Sequence, residues 1–242
     1  MKRRSFIKKT TLTGIALATI PNIIYGQHII STEELIGKGN PKLFGKNHLL
    51  REEVHYAFQA MKTQALKAGI HIQIVSSYRN FEHQKRIWER KYNRFRNQGF
   101  SEENTIQKII EYSTVPGTSR HHWGTDIDII DANAIQPKYV LQEKHFQENG
   151  CFVNLKNWMN LHANSFGFYL VYTNNTNRKG FKHEPWHYSY KPLSQPFLQQ
   201  FKSINLNTML QAEKISGSSI FLDSFLNNYR NENILDINPK LL

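Results

Sequence analysis

The chain has 242 residues, 39% of them hydrophobic, a formal net charge of +12 and one cysteine. That length supports one compact domain with additions and a real core. The single thiol, Cys151, excludes an internal disulfide and a cysteine-built metal site, so a metal here must be held by His, Asp or Glu.

Five of the positive charges, Lys2, Arg3, Arg4, Lys8 and Lys9, fall in residues 1–26, which hold no acid; the rest of the chain keeps +7. Arg3-Arg4-Ser5-Phe6-Ile7-Lys8-Lys9, followed by the moderately apolar run Thr10 to Ile24, resembles a twin-arginine export signal, with cleavage expected after Gly26. The run is too short and too polar for a membrane span, so no stable span is expected after cleavage. Periplasm or cell envelope is the expected destination. The basic residues elsewhere are scattered, except for Lys85 to Arg96, which reads as a solvated helix face and not as a nucleic-acid site.

Residues 27–45 read as a linker. Leu50, Val54, Ala57, Phe58, Met61 and Ala65 then recur at helical spacing, with Gly69 as a stop. Alternation from Ile70 to Ser76 predicts a strand running into the loop Ser76-Ser77-Tyr78-Arg79. Asn80 is placed to cap a helix ending near Gly99, and Ser101-Glu102-Glu103 to start another. From Thr125 a strand puts Asp126 and Asp128 on one face. A polar loop to about Gly150 precedes a helix from Asn154 to Gly167, then strands at Phe168–Tyr172 and Trp186–Tyr190. Residues 193–242 hold two or three helical patterns and none of the chemistry, and read as a helical extension. The expected architecture is α+β: helices around a small, mostly antiparallel sheet spanning residues 46–192.

Two stretches carry the chemistry. Pro116 to Asp128 places His121 and Asp128 seven residues apart across Gly124, and His183-Glu184-Pro185-Trp186-His187 adds an imidazole and a free carboxylate. Three such ligands leave an open position for water on a hydrolytic zinc, with Glu184 as the base beside it. The second stretch also spells H-E-x-x-H, but that motif works on a helix, where two histidines four apart share a face. Pro185 would cost such a helix about 3 kcal/mol, and the alternation after it reads as a strand. In a regular strand Glu184 and His187 face opposite ways, so both reach one metal only if the chain bends near Pro185.

Ser119-x-His121-x-x-Gly124-x-x-x-Asp128 followed by Glu184-x-Trp186-His187 resembles the LAS metallopeptidases, which include lysostaphin-type enzymes, D-Ala-D-Ala peptidases and the hedgehog domain. Pro116-Gly117-Thr118-Ser119 and Ser76-x-Tyr78-Arg79…Gln84 look most like the VanY-type D-alanyl-D-alanine carboxypeptidases. The resemblance implies one zinc per chain on His121, Asp128 and His187. It implies Glu184 as base and then acid, and Arg79 as stabiliser of the oxyanion or holder of the substrate. Ser119, Gln84 and Tyr78 would contact the substrate, a peptidoglycan stem peptide losing its terminal D-alanine. An L,D-carboxypeptidase, a dipeptidase, an endopeptidase or a zinc-stabilised binding module are the alternatives. His122 and His183 read as structural neighbours, and Trp123 and Trp186 as packing residues walling the site. Asp126 departs from the family, which commonly has a small residue there. It could orient a histidine ligand or meet a cationic part of the substrate.

Overall fold

The computed structural model describes residues 30–242; the expected export signal lies outside them. Short α1 (Thr32–Leu35) is capped by the Ser31 side chain. α2 (Glu52–Lys67) buries Val54, Phe58, Met61 and Ala65, the helical stripe of the sequence. β1 (Ile72–Ser76) begins two residues later than the alternation suggests, because the Ile70 amide folds back onto the Ala65 carbonyl and finishes α2. α3 (Phe81–Asn97) is capped by Asn80, whose side chain accepts from the His83 amide at 2.8 Å. α4 (Glu102–Ile109) is capped in the same way by Ser101.

A 3-10 turn, Arg120–Trp123, leads into β2 (Asp126–Asp131). Gly124 joins them with φ +68, a left-handed conformation open to glycine at little cost. α5 (Val153–His162) tightens into a 3-10 turn before Gly167. β3 (Phe168–Leu170) and β4 (His187–Tyr190) complete the strands. α6 (Lys191–Phe201), α7 (Leu206–Gln211) and α8 (Asp223–Tyr229) follow.

The sheet is antiparallel throughout, in the order β1-β2-β4-β3. The architecture is α+β, as the sequence pattern indicates. All six residues of β2 and all four of β4 are buried, because these central strands are covered on both faces. The two strands that carry the site motifs are therefore the most constrained part of the sheet. Among the described residues no helix is long and apolar enough to cross a membrane.

Two stretches pack more closely than their composition suggests. Leu35 and Ile36, within the expected linker, are buried, and the Leu35 carbonyl accepts the Trp123 indole N–H at 3.1 Å. Beyond residue 192 the chain lies against α3 and the site loops. The Trp88 indole donates to the Ser216 carbonyl at 2.9 Å, and the Asn238 amide to the Val171 carbonyl at 2.9 Å. The Tyr229 hydroxyl accepts the Val115 amide at 3.0 Å and lies 2.8 Å from Thr118 Oγ1. Replacing Tyr229 by Phe would leave the buried Val115 amide without an acceptor, at a cost of about 1–3 kcal/mol. Urea unfolding should show the midpoint falling with little change in slope; an unchanged midpoint would contradict this tie.

Candidate metal centre and active site

β2 and β4 pair so that Asp128 faces His187 and Asp126 faces Ser189. The alternation of a strand thus sets four polar side chains on one face, with Ile127 and Tyr188 on the other. His121 comes from the 3-10 turn just before β2. The bend foreseen at Pro185 is a tight turn in which the His187 amide donates to the Glu184 carbonyl at 3.0 Å. It returns the Glu184 side chain to His187, with Oε2 at 3.0 Å from Nδ1. No helix forms over 183–187, and His183 instead meets Glu143 at 2.8 Å.

His121, Asp128 and His187 each offer a buried donor atom, all within 4.8 Å of one another. His121 Nε2 lies 3.4 Å from Asp128 Oδ2, and His187 Nδ1 lies 3.9 Å from Asp128 Oδ1. Zinc bonds of about 2.0–2.2 Å in a tetrahedron separate donors by about 3.4 Å; His121 and Asp128 stand at that distance, and the wider spacing to His187 closes with small side-chain movements. The other nitrogen of each ring is already engaged. His121 Nδ1 donates to the Ser77 carbonyl at 2.8 Å, and His187 Nε2 donates to Asp126 Oδ1 at 3.0 Å. Each imidazole therefore turns one nitrogen towards the shared point, as outer hydrogen bonds to metal-bound histidines do. Asp128 Oδ1 is buried with no hydrogen-bond partner, a costly state that a cation would relieve. The residues present fit a divalent metal.

The electrostatics agree. Burial alone would raise Asp128; His121 and His187 outweigh it and bring its pKa down to about 2. Burial alone would raise Asp126 as well, but Arg120 and the His187 hydrogen bond hold it well below the usual carboxylate range. Burial pushes Glu184 up, with His187 pulling the other way. A base lifted from the ordinary carboxylate value is better matched to moving a proton near neutral pH. His187 would be lowered by burial, yet its hydrogen bonds to Asp126 and Glu184 lift it to about 10.

A cavity of about 630 Å³ opens onto this face. Arg79 lines it beside Ser119, at 3.5 Å from the Ser119 hydroxyl, and its Nε has no partner. Ser119 also accepts the His121 amide at 3.3 Å, so its oxygen caps the 3-10 turn. Trp186 lines the cavity, whereas Trp123 is buried away from it under the Arg120 guanidinium.

Two expected contact residues are placed elsewhere. Gln84 is buried, gives its Nε2 to the Thr114 carbonyl at 2.9 Å and does not line the cavity: it pins α3 to the loop before Pro116. Tyr78 also lies outside the lining; the charges nearest to it are those of Arg51 and Glu34. His122 is structural: Nδ1 donates to the Arg79 carbonyl at 2.6 Å and Nε2 accepts the Gly117 amide at 3.2 Å. Burial holds it neutral, its pKa pulled down to about 3.

The sequence reading missed the support under Asp126. Arg120 Nε reaches Asp126 Oδ1 at 3.0 Å, and Ser189 and Thr125 hydroxyls donate to Oδ2 at 2.8 and 2.6 Å. Ser189 was findable, since it shares the face of His187 two residues on. Tyr172, whose ring stands edge-on to His187 at 5.2 Å, had no such signal.

Residues 47–193, more than half of the chain, match the model of the VanY family, described as D-alanyl-D-alanine carboxypeptidase. The chain belongs to the VanY family. An uncharacterized protein of Haemophilus influenzae is 32% identical over 110 residues, which are 45% of this chain and 84% of that one. A D-alanyl-D-alanine carboxypeptidase of Enterococcus faecalis is 26% identical over 147 residues, 60% of this chain but only 50% of the relative. Among solved structures, VanYB in complex with D-alanine-D-alanine superposes with a TM-score of 0.53 at 21% identity, covering 73% of this chain and 92% of that one. A mutant of the vancomycin-resistance D,D-pentapeptidase VanY in complex with Zn(II) gives 0.51 at 19% identity, covering 75% and 88%. These likenesses establish the VanY fold.

Proposed function

We propose that this VanY-family protein is a zinc-dependent carboxypeptidase that removes the terminal D-alanine from peptidoglycan stem peptides in the periplasm or cell envelope. The observation behind it is the buried set of His121, Asp128 and His187, each imidazole with one nitrogen committed elsewhere and a free acid, Glu184, alongside. His121 Nε2, Asp128 and His187 Nδ1 would hold the ion. Bound there, zinc would act as a Lewis acid and bring the pKa of water towards about 7.

The chain's own groups supply the rest. Glu184 takes the proton of the attacking water on its carboxylate and passes it to the leaving amine, the two jobs of one carboxyl raised by its surroundings. Arg79 points donors into a cavity where the carbonyl oxygen gains charge, and a desolvated guanidinium is well suited to that charge. Ser119 sits between Arg79 and the His121 amide and holds both in place. Asp126 fixes the orientation of His187. The bound D-alanine-D-alanine and Zn(II) of the two solved relatives support the substrate class and the ion.

Digestion of a defined stem pentapeptide ending in D-alanyl-D-alanine, followed by mass spectrometry, tests this. Loss of a single D-alanine is expected, abolished by a chelator and restored by zinc. Release of a dipeptide, an internal cut, or cleavage confined to the tetrapeptide would replace this reading with another peptidase activity. Zinc bound with the peptide untouched would leave a binding module.

A further inference from the structure

α3 presents a run of basic residues, and Arg86, Arg90, Arg94 and Arg96 are exposed to solvent. Lys91 is different. It is half-buried and lines the cavity of the metal centre together with Arg79, Tyr112 and Glu184. Among the described residues no carboxylate stands within ion-pair distance of it. An ammonium drawn out of water without a partner is costly and is expected to be retained only if something anionic meets it. The nearby acid it feels most is Glu184, and the nearby cation it feels most is Arg79. Burial lowers its pKa to about 8, Glu184 opposing and Arg79 adding.

We propose that Lys91 receives the C-terminal carboxylate of the peptide and so makes the cavity select free C-terminal ends. The assignment rests on the carboxypeptidase reading above. Glu184 is the group that returns the proton to the leaving amine, and Lys91 lines the same cavity as Glu184, within reach of the residue that departs with that amine. In a carboxypeptidase the leaving residue carries its own carboxylate one carbon beyond that amine. Of the cavity's other cations, Arg79 is bonded to Ser119 and is given the carbonyl oxygen above, Arg120 is paired with Asp126, and Lys144 is exposed, which leaves Lys91 for the terminus. An endopeptidase has no charge to place at this point, and an unpaired ammonium there would be a burden.

The test uses two stem pentapeptides that differ only at the C-terminus, a free acid and an amide, with the zinc-loaded protein and its Lys91→Met variant. The unsubstituted protein should favour the acid. Lys91→Met should lower kcat/KM for the acid by about 10–100-fold, mostly through KM, and leave the amide nearly unchanged; one well-placed charged contact has that size. An equal loss on both peptides, or no loss on either, overturns the proposal. Binding of the same two peptides to zinc-loaded Glu184→Gln protein, with and without Lys91→Met, separates this from the wider reading. If the enzyme releases no D-alanine but the acid still binds better and that preference vanishes with Lys91→Met, the carboxypeptidase reading fails and the assignment of Lys91 stands. Equal binding of acid and amide in the presence of Lys91 overturns it.

Discussion

Glu184→Gln is expected to lower kcat on the stem pentapeptide by at least about 10²–10⁴-fold, the range that a positioned general base supplies, while zinc content remains one ion per chain. The reason is the division of labour in the site. Glu184 is not one of the three donors that converge on a common point; it touches the centre only through His187 Nδ1, at 3.0 Å. Glutamine keeps the shape and a hydrogen-bonding oxygen, but it can neither take nor return a proton. Burial already lifts the Glu184 pKa, so the carboxyl is set for the exchange that the amide lacks. Metal analysis and kinetics on the same preparation check the two halves. Activity within a factor of a few of the unsubstituted protein would remove Glu184 from the mechanism, and loss of zinc would make it a ligand.

Asp126→Ala is expected to injure both folding and metal binding. The carboxylate is fully enclosed and answers four neighbours: Arg120, Ser189, Thr125 and the far nitrogen of His187. Removing it leaves the buried Arg120 guanidinium without its countercharge, which costs about 3–5 kcal/mol in comparable buried pairs. It also frees the His187 ring to rotate, and loss of such an outer partner weakens metal binding by about 10–100-fold. Asp126→Asn separates the two effects, because it retains a hydrogen-bonding oxygen but not the charge. Urea unfolding and competition with a zinc chelator measure them. A variant as stable as the parent with undiminished zinc affinity would contradict the role given to Asp126.

Much of this site could be read before the fold was known. His121 and Asp128 announce themselves through their spacing across Gly124, and the parity of a strand places Asp126 beside Asp128. Pro185 made a helical H-E-x-x-H untenable, and the turn at 184–187 is the bend that two opposed side chains needed. What stayed hidden depends on contacts between distant segments. Gln84 lies in a family-like motif, but its amide nitrogen is bound to the Thr114 carbonyl thirty residues away and the residue does not line the cavity. Tyr78 follows the strand into the site loop, yet it does not line the cavity and has the pair of Arg51 and Glu34 as its nearest charges. Lys91 looked like one more charge on a solvated helix, because helical spacing cannot tell which turn of a helix overlooks a cavity. The last fifty residues carry no site chemistry, and only the long-range bonds of Tyr229, Ser216 and Asn238 reveal how closely they are built into the same core.

The most direct measurement is the anomalous diffraction of a crystal grown with zinc, recorded on either side of the zinc edge. The account predicts one strong peak, within bonding distance of His121 Nε2, an Asp128 carboxylate oxygen and His187 Nδ1, with Glu184 outside the coordination sphere. A peak elsewhere, a peak coordinated by Glu184 in place of one of these three, or no peak at the centre would contradict it.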